Sequence, residues 1–169
     1  VQTDQSNTLD GTLYFDKDDQ VYAVATFGAE SVTSDTILVY NSPPTTPSIN
    51  ITPNSPVAGQ DDVSCNVTVE STDADNDPVT YNYEWLDSTG ETIQRSIGVA
   101  ELSDVLSAEL TTEGPLTCSI TPLSVDYVGI SEFAIVDVEA AECWSLDFDG
   151  DNLVECDSSW GNLDSGSHS

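Results

Sequence analysis

Polar and apolar residues alternate along much of this chain, and this alternation limits its local structure more than any other feature. The pattern is clearest in four segments: Val63–Val69, Val79–Trp85, Leu116–Ile120 and Phe133–Val138. Successive side chains of a β-strand point to opposite faces, so each segment predicts a strand with one buried face. Helical periodicity is nearly absent. Short strands at intervals of about 8 to 12 residues, separated by turn residues, predict an all-β antiparallel sandwich.

The charge of the chain excludes two classes of partner. The sequence contains 31 acidic residues against 2 Lys and Arg, for a net charge of -29. A chain with so few cations cannot release counterions from DNA or RNA, and it repels anionic membrane surfaces. No apolar stretch reaches the roughly 18 to 20 residues of a membrane span. We therefore expect neither nucleic-acid binding nor membrane insertion.

Composition also indicates where the protein functions. The chain has 4 Cys and no Met, and it begins at Val1, so we expect a processed product or a piece of a longer protein. An even number of cysteines and abundant Asp are typical of oxidising, extracellular surroundings. The sequence therefore predicts a protein that is secreted or displayed at the cell surface.

A proline-rich segment divides the chain. Three prolines occur within Asn41–Pro47, and they favour an extended linker over a helix. We place a complete sandwich in residues 43–139 and an acidic tail bracketed by cysteines in residues 140–169.

The segment before the linker looks like half of a second sandwich. Residues 1–39 resemble residues 93–136, with Phe15 matching Leu110 and Val21 matching Leu116. Residues 1–42 are therefore predicted to be the C-terminal half of a sandwich. Half a sandwich leaves an apolar face uncovered. We expect either an upstream domain of the precursor or a neighbouring copy to complete it.

The cysteines fall into two pairs. Cys65 and Cys118 lie on inward-facing strand positions, and Trp85 lies on a strand between them, which is the arrangement of an immunoglobulin-like (Ig-like) sandwich. Residues 1–42 are then predicted to be the C-terminal half of a second Ig-like sandwich, completed by an upstream Ig-like domain or a neighbouring copy. This likeness predicts a Cys65–Cys118 disulfide between the two sheets. Cys143 and Cys156 then pair by elimination. Zinc is the rival for four cysteines, but no CxxC spacing occurs.

The tail contains carboxylates at the spacing of a calcium loop. Asp147, Asp149, Asp151 and Glu155 occupy positions 1, 3, 5 and 9 of a segment in which Gly150 permits a close turn. Asn152 and Ser158 depart from the EF-hand pattern. The segment resembles the abbreviated DxDGD loops of secreted repeat proteins. Ca²⁺ is the predicted cofactor, and a solvated acidic turn is the alternative.

A second acidic run carries a more specific resemblance. Asp73-Ala-Asp-Asn-Asp77 is followed by Pro78-Val-Thr-Tyr-Asn-Tyr-Glu-Trp85. This stretch resembles the DxDGDxxTYxYxW signature of Ig-like, PKD-like and cadherin-like repeats in large bacterial and archaeal surface proteins. Asn41–Pro53, Asp62–Cys65 and Leu116–Pro122 resemble the linker and two strands of those repeats.

The resemblance covers about residues 1 to 139 and implies a tandem-repeat spacer or adhesive stalk. It also raises Asp73, Asp75 and Asp77 as ligands of a second Ca²⁺, with a solvated acidic turn as the alternative. Asn76 stands where the signature has glycine, which counts against the metal.

Two further features bear on function. Asn50-Ile-Thr52 and Asn66-Val-Thr68 are N-glycosylation sequons. No GxSxG motif, glycine-rich phosphate loop or well-placed histidine is present, so we expect no enzyme. We predict an extracellular structural or adhesive protein, a stalk or filament subunit stabilised by disulfides and Ca²⁺. The alternative is a carbohydrate-binding module that stacks a surface glycan on Trp144 and Trp160.

Overall fold

The computed structural model describes residues 8–125, 127–142, 144–146 and 153–155. A single helical turn, α1 (Gly11–Tyr14), precedes the first strand, and a 3-10 turn covers Ala108–Leu110. The strands are β1 (Gln20–Val21), β2 (Val24–Phe27), β3 (Glu30–Thr33), β4 (Ile37–Leu38), β5 (Ser48–Thr52), β6 (Val63–Val69), β7 (Val79–Leu86), β8 (Thr92–Val99), β9 (Ser103–Leu106), β10 (Gly114–Ser124), β11 (Tyr127–Val128), β12 (Glu132–Val138), β13 (Trp144–Leu146) and β14 (Leu153–Glu155).

Strands β5 to β12 form a two-sheet sandwich. One sheet has the order β5-β6-β9, and the other has β8-β7-β10, with β12 and β11 pairing along the far side of β10. All of these strand pairs are antiparallel. The prediction of an all-β, Ig-like antiparallel sandwich is therefore confirmed. The four alternating segments of the sequence all lie within its strands.

The core of the sandwich is built from the inward-facing residues of both sheets. Trp85, Cys65 and Cys118 are each 0% exposed. The predicted disulfide joins Cys65 on β6 to Cys118 on β10, with their Cα atoms 6.3 Å apart. It therefore links the two sheets covalently beside the buried indole.

The N-terminal segment contains two short strand pairs, β1 with β4 and β2 with β3. Gln20 lies opposite Leu38, and Val21 lies opposite Ile37. In the sandwich, Thr117 lies opposite Ile135, and Cys118 lies opposite Ala134. Adding the same number to each residue number of the two N-terminal pairs gives the two pairs of the sandwich.

The same shift carries the turn of the N-terminal hairpin onto a turn of the sandwich. It converts the Phe27–Glu30 pair into the Ser124–Tyr127 pair. The N-terminal strands thus reproduce the register of β10 with β11 and β12. In this register Val21 matches Cys118, two residues away from the match with Leu116 made on sequence alone. The assignment of residues 1–42 as a half domain remains a prediction.

Strands β13 and β14 form an antiparallel pair in the tail, with Trp144 opposite Glu155 and Leu146 opposite Leu153. The remaining predictions for the tail fall on positions outside the described residues. These positions are Cys143, Cys156, Asp147, Asp149, Asp151 and Trp160.

Candidate functional site

The loop from Asp73 to Asp77, which leads into β7, is organised by its first carboxylate. Asp73 Oδ1 accepts hydrogen bonds from the backbone N–H groups of Asp75 at 2.9 Å and Asp77 at 3.3 Å. Its Oδ2 accepts one from the Ser124 hydroxyl at 2.8 Å. Asn76 adopts a φ of 59°, in the left-handed region that asparagine tolerates better than most residues. The hydrogen bond from Ser124, the last residue of β10, fixes the loop to the end of that strand.

The other two carboxylates of this loop bind the N-terminal part of the chain. Lys17 forms an ion pair with Asp77, whose Oδ2 lies 2.6 Å from Nζ. The Ser42 backbone N–H donates to Asp75 Oδ2 at 2.7 Å. The Lys17 and Asp77 side chains are 32% and 11% exposed, so the pair is partly shielded from water.

Lys17 is held in place by its own turn. The Asp18 N–H donates to the Val39 carbonyl at 2.9 Å, and the Val39 N–H donates to the Asp19 carbonyl at 2.8 Å. The Asp16 N–H donates to the Asp19 carboxylate at 3.0 Å. The ammonium is thus presented from a turn bonded to the residue after β4, and it couples the N-terminal strands to the sandwich.

The proline-rich linker packs against the sandwich as well. The Thr45 N–H donates to the Thr72 carbonyl at 2.8 Å, and the Thr72 N–H donates to Thr45 Oγ1 at 2.8 Å. A Cβ placed on Gly129 would lie 2.6 Å from the Pro44 carbonyl oxygen and 2.8 Å from Pro122 Cγ. This approach requires glycine. We call the contacts of Lys17, Ser42 and Thr45 with the Thr72–Asp77 segment the junction.

The junction shifts the pKa values of its charged groups. The hydrogen bond to Asp77 raises the pKa of Lys17, and this outweighs the opposing effect of burial. Burial raises the pKa of Asp73, but the hydrogen bonds from Ser124 and from the two backbone amides together lower it by more, so the pKa lies below its usual value. Both shifts favour the charged forms at neutral pH.

The structure brings Asp73, Asp75 and Asp77 into one loop, yet gives each a protein partner. No group of three His, Cys, Asp or Glu residues suited to holding a metal ion occurs among the described residues. The cation that this structure shows at the loop is the ammonium of Lys17, which binds Asp77. Binding of Ca²⁺ by Asp73, Asp75 and Asp77 stays a prediction.

The other predicted site residues lie elsewhere. Asn50 and Asn66 are cross-strand neighbours on β5 and β6. Glu155 and Trp144 belong to the β13–β14 pair, and the other residues predicted to bind calcium in the tail lie outside the described residues.

Sequence reasoning missed two polar centres. It did not single out Lys17, although this residue is one of only two Lys and Arg residues among 31 acidic ones and could have been expected to bind a carboxylate. It also missed Asp104 on β9, whose carboxylate accepts from Trp85 Nε1 at 2.8 Å, Gln94 Nε2 at 2.9 Å and Ser96 Oγ at 2.7 Å. Asp104 thereby bridges the two sheets.

No protein-family model matches the chain. No curated protein matches it either. Among solved structures it is similar to domains d3–d4 of the rat CD45 extracellular region, with 10% identity and a TM-score of 0.49. That alignment covers 81% of this chain and 70% of the other.

The chain is also similar to the FN1–FN3 domains of chicken CNTN1, with 13% identity and a TM-score of 0.44. The alignment covers 75% of this chain and 45% of the CNTN1 chain, so this chain spans less than half the length of that structure. The fold assignment rests on the strand pairing and the disulfide described above.

None of the helices in the described part of the chain is long and apolar enough to span a membrane.

Proposed function

We propose that this chain is part of an extracellular structural or adhesive protein, in which Ig-like domains follow one another at fixed angles along a stalk or filament. The junction is the observation that carries this proposal. A spacer transmits position or force only if consecutive domains do not pivot freely, and here the linker and the turn before β1 both bind the sandwich.

The charge of the chain explains why such a junction needs a cation. With 31 acidic residues, neighbouring segments repel one another, and the Asp73–Asp77 loop would add to that repulsion. Lys17 places a positive charge at Asp77 instead, in a position that is only partly exposed to screening ions. The ammonium has the role that the sequence resemblance would assign to a metal ion bound by this loop.

The N-terminal hairpin supports a chain of several domains. Phe27 occupies the position of Ser124 in the shared register, yet Phe27 is 90% exposed and Ser124 is 1% exposed. Val32 and Ile37 of the same hairpin are 74% and 69% exposed. Further strands that cover this face would complete the half domain predicted for residues 1–42.

Upstream strands of the same precursor are a better source of this cover than a neighbouring copy. The Cys65–Cys118 disulfide ties β6 to β10, so β6 of a neighbouring copy cannot leave its own sandwich to be donated. The proposal therefore favours a tandem stalk over a strand-exchanged filament.

The proposal includes a secreted location and assigns the chain no catalytic activity. The disulfide in the core of the sandwich supports this location, because disulfides form and persist in oxidising compartments. In the tail, Asp147, Asp149, Asp151 and Glu155 would hold Ca²⁺, which would lower repulsion between acidic residues. The spacing of the carboxylates supports this part of the proposal.

Substitution of the two cations tests the junction. Lys17→Gln removes the charge at the junction, and Arg95→Gln removes the only other basic charge, which pairs with Glu84 within the sandwich. Hydrogen exchange should accelerate in residues 16–19 and 72–77 of Lys17→Gln, whereas Arg95→Gln should leave these segments unchanged. Equal exchange in Lys17→Gln and the unsubstituted chain would contradict a functional junction.

A further inference from the structure

The outward face of the three-stranded sheet carries no charge. On β5, β6 and β9 the residues Ile51, Val63, Cys65 and Leu106 are buried, so their neighbours in sequence point outward. The outward residues are Ser48, Asn50, Thr52, Ser64, Asn66, Ser103 and Val105. In a chain of which 20% is charged, seven such positions without an ionisable group set this face apart.

The asparagines of both sequons lie on this face. Residues two apart on a regular strand share a face, so Asn50 lies beside Thr52 on β5, whereas a register irregularity between Val67 and Val69 interrupts β6 just after Asn66. Asn50 is also directly opposite Asn66 in the pairing of the two strands. The Cβ atoms of such a pair lie roughly 4.5–5.5 Å apart, which leaves no room for a sugar chain on each.

The hydrogen bonds distinguish the two asparagines. Asn66 Nδ2 donates to Asn50 Oδ1 at 3.2 Å, to Thr52 Oγ1 at 3.1 Å and to the Ser64 carbonyl at 3.3 Å. Its Oδ1 accepts from Ser64 Oγ at 2.9 Å. Asn66 is half-buried by these contacts, and a substituent on its nitrogen would break part of the network.

Asn50 takes part in the same network only through its oxygen. Its Nδ2 makes no hydrogen bond to any of the described residues, and the residue is exposed. A sugar on this nitrogen leaves Oδ1 in place to accept from Asn66. The fold therefore tolerates a glycan at Asn50 and opposes one at Asn66.

We propose that Asn50 carries an N-linked glycan that covers this uncharged face, and that Asn66 remains unmodified. In the modification, Asn50 Nδ2 bonds to the anomeric carbon of a glycosyl donor of the lipid pyrophosphate class. The bond from that carbon to the phosphate oxygen breaks, the pyrophosphate leaves with the electron pair, and the amide proton goes to a base. The inference rests on the secreted location in the proposed function.

Peptide mapping of the protein isolated from its source tests the inference. Cleavage before Asp61 and Asp62 separates the two sequons, and tandem mass spectrometry then assigns sugar to each. We expect one glycan per chain, on the peptide that contains Asn50. Bare Asn50, or sugar on Asn66, overturns the proposal. The same map reports the Cys65–Cys118 linkage: an oxidised pair with bare Asn50 refutes the glycan and leaves the extracellular assignment standing.

Two variants made without glycosylation test the reason for the selectivity. Asn66→Gln should lower the urea midpoint of unfolding, because it disturbs four hydrogen bonds. Asn50→Gln should leave the midpoint close to that of the parent chain. An equal loss in both variants would contradict the proposed division of roles.

Discussion

Asp104 should be the polar residue on which the sandwich depends most. Its carboxylate lies on β9 of one sheet and accepts hydrogen bonds from Trp85 on β7 and from Gln94 and Ser96 on β8 of the other. Trp85 is 0% exposed, so water cannot replace Asp104 as the acceptor of the indole N–H.

The expected loss in Asp104→Ala follows from these contacts. An unsatisfied buried donor costs about 1–3 kcal/mol, and Trp85 should bear most of this. Gln94 and Ser96 are half-buried and can turn partly to water, so each should add about 0.5 kcal/mol. The substitution should therefore destabilise the sandwich by about 3 kcal/mol. Asp104→Asn keeps one acceptor oxygen and should lose about half as much.

Urea unfolding in 150 mM NaCl, followed by circular dichroism, measures these losses. Asp137→Ala is the matched control, because Asp137 is an exposed carboxylate on β12 and its removal should change stability by less than about 0.5 kcal/mol. A double-mutant cycle with Trp85→Phe isolates the indole contact. If Asp104→Ala costs the same with and without the indole N–H, the reasoning is refuted.

Three further predictions concern the disulfide, the response to pH and the tail. Replacing Cys65 and Cys118 by Ala should cost about 4 kcal/mol, since the bond closes a separation of 53 residues; a loss below about 1 kcal/mol in urea unfolding would be inconsistent. Burial, assisted by neighbouring Tyr81, Asp104 and Glu101, raises the pKa of Tyr83 to about 12 from 10.0. The unfolded chain therefore releases the Tyr83 proton at a lower pH than the folded chain, so the contribution of Tyr83 to stability is fully present below pH 10 and is lost as the pH rises towards 12. Tyr83→Phe should flatten the plot of unfolding free energy against pH over that range. Chelation of Ca²⁺ should speed hydrogen exchange in residues 140–169 and leave residues 63–138 unchanged, and constant protection of the tail would argue against the calcium loop.

The sandwich could be predicted from the sequence because its strands have one buried face each. Val63–Val69 has the same bounds in the sequence pattern and in the structure, and Val79–Trp85 falls one residue short of β7. Strand β8 could not be predicted in this way. Its side chains are exposed or half-buried in an irregular order, so no period of two develops.

The candidate site was only partly visible in the sequence. Asp73, Asp75 and Asp77 stood out because carboxylates at this spacing bind hard cations. Their partner did not, because Lys17 lies 60 residues away from Asp77 and meets it only after the linker has folded back. A spacing rule identifies groups that converge within one loop, but it carries no information on which distant side chain fills that loop.

The most direct test of the account is ¹⁵N relaxation of the intact chain. If the junction is rigid, backbone amides in the N-terminal strands from Gln20 to Leu38 should report the same rotational correlation time as amides of the sandwich. Lys17→Gln should separate the two values, and Arg95→Gln should not. A shorter correlation time for the N-terminal strands in the unsubstituted protein would contradict the claim that this chain holds consecutive domains at a fixed angle.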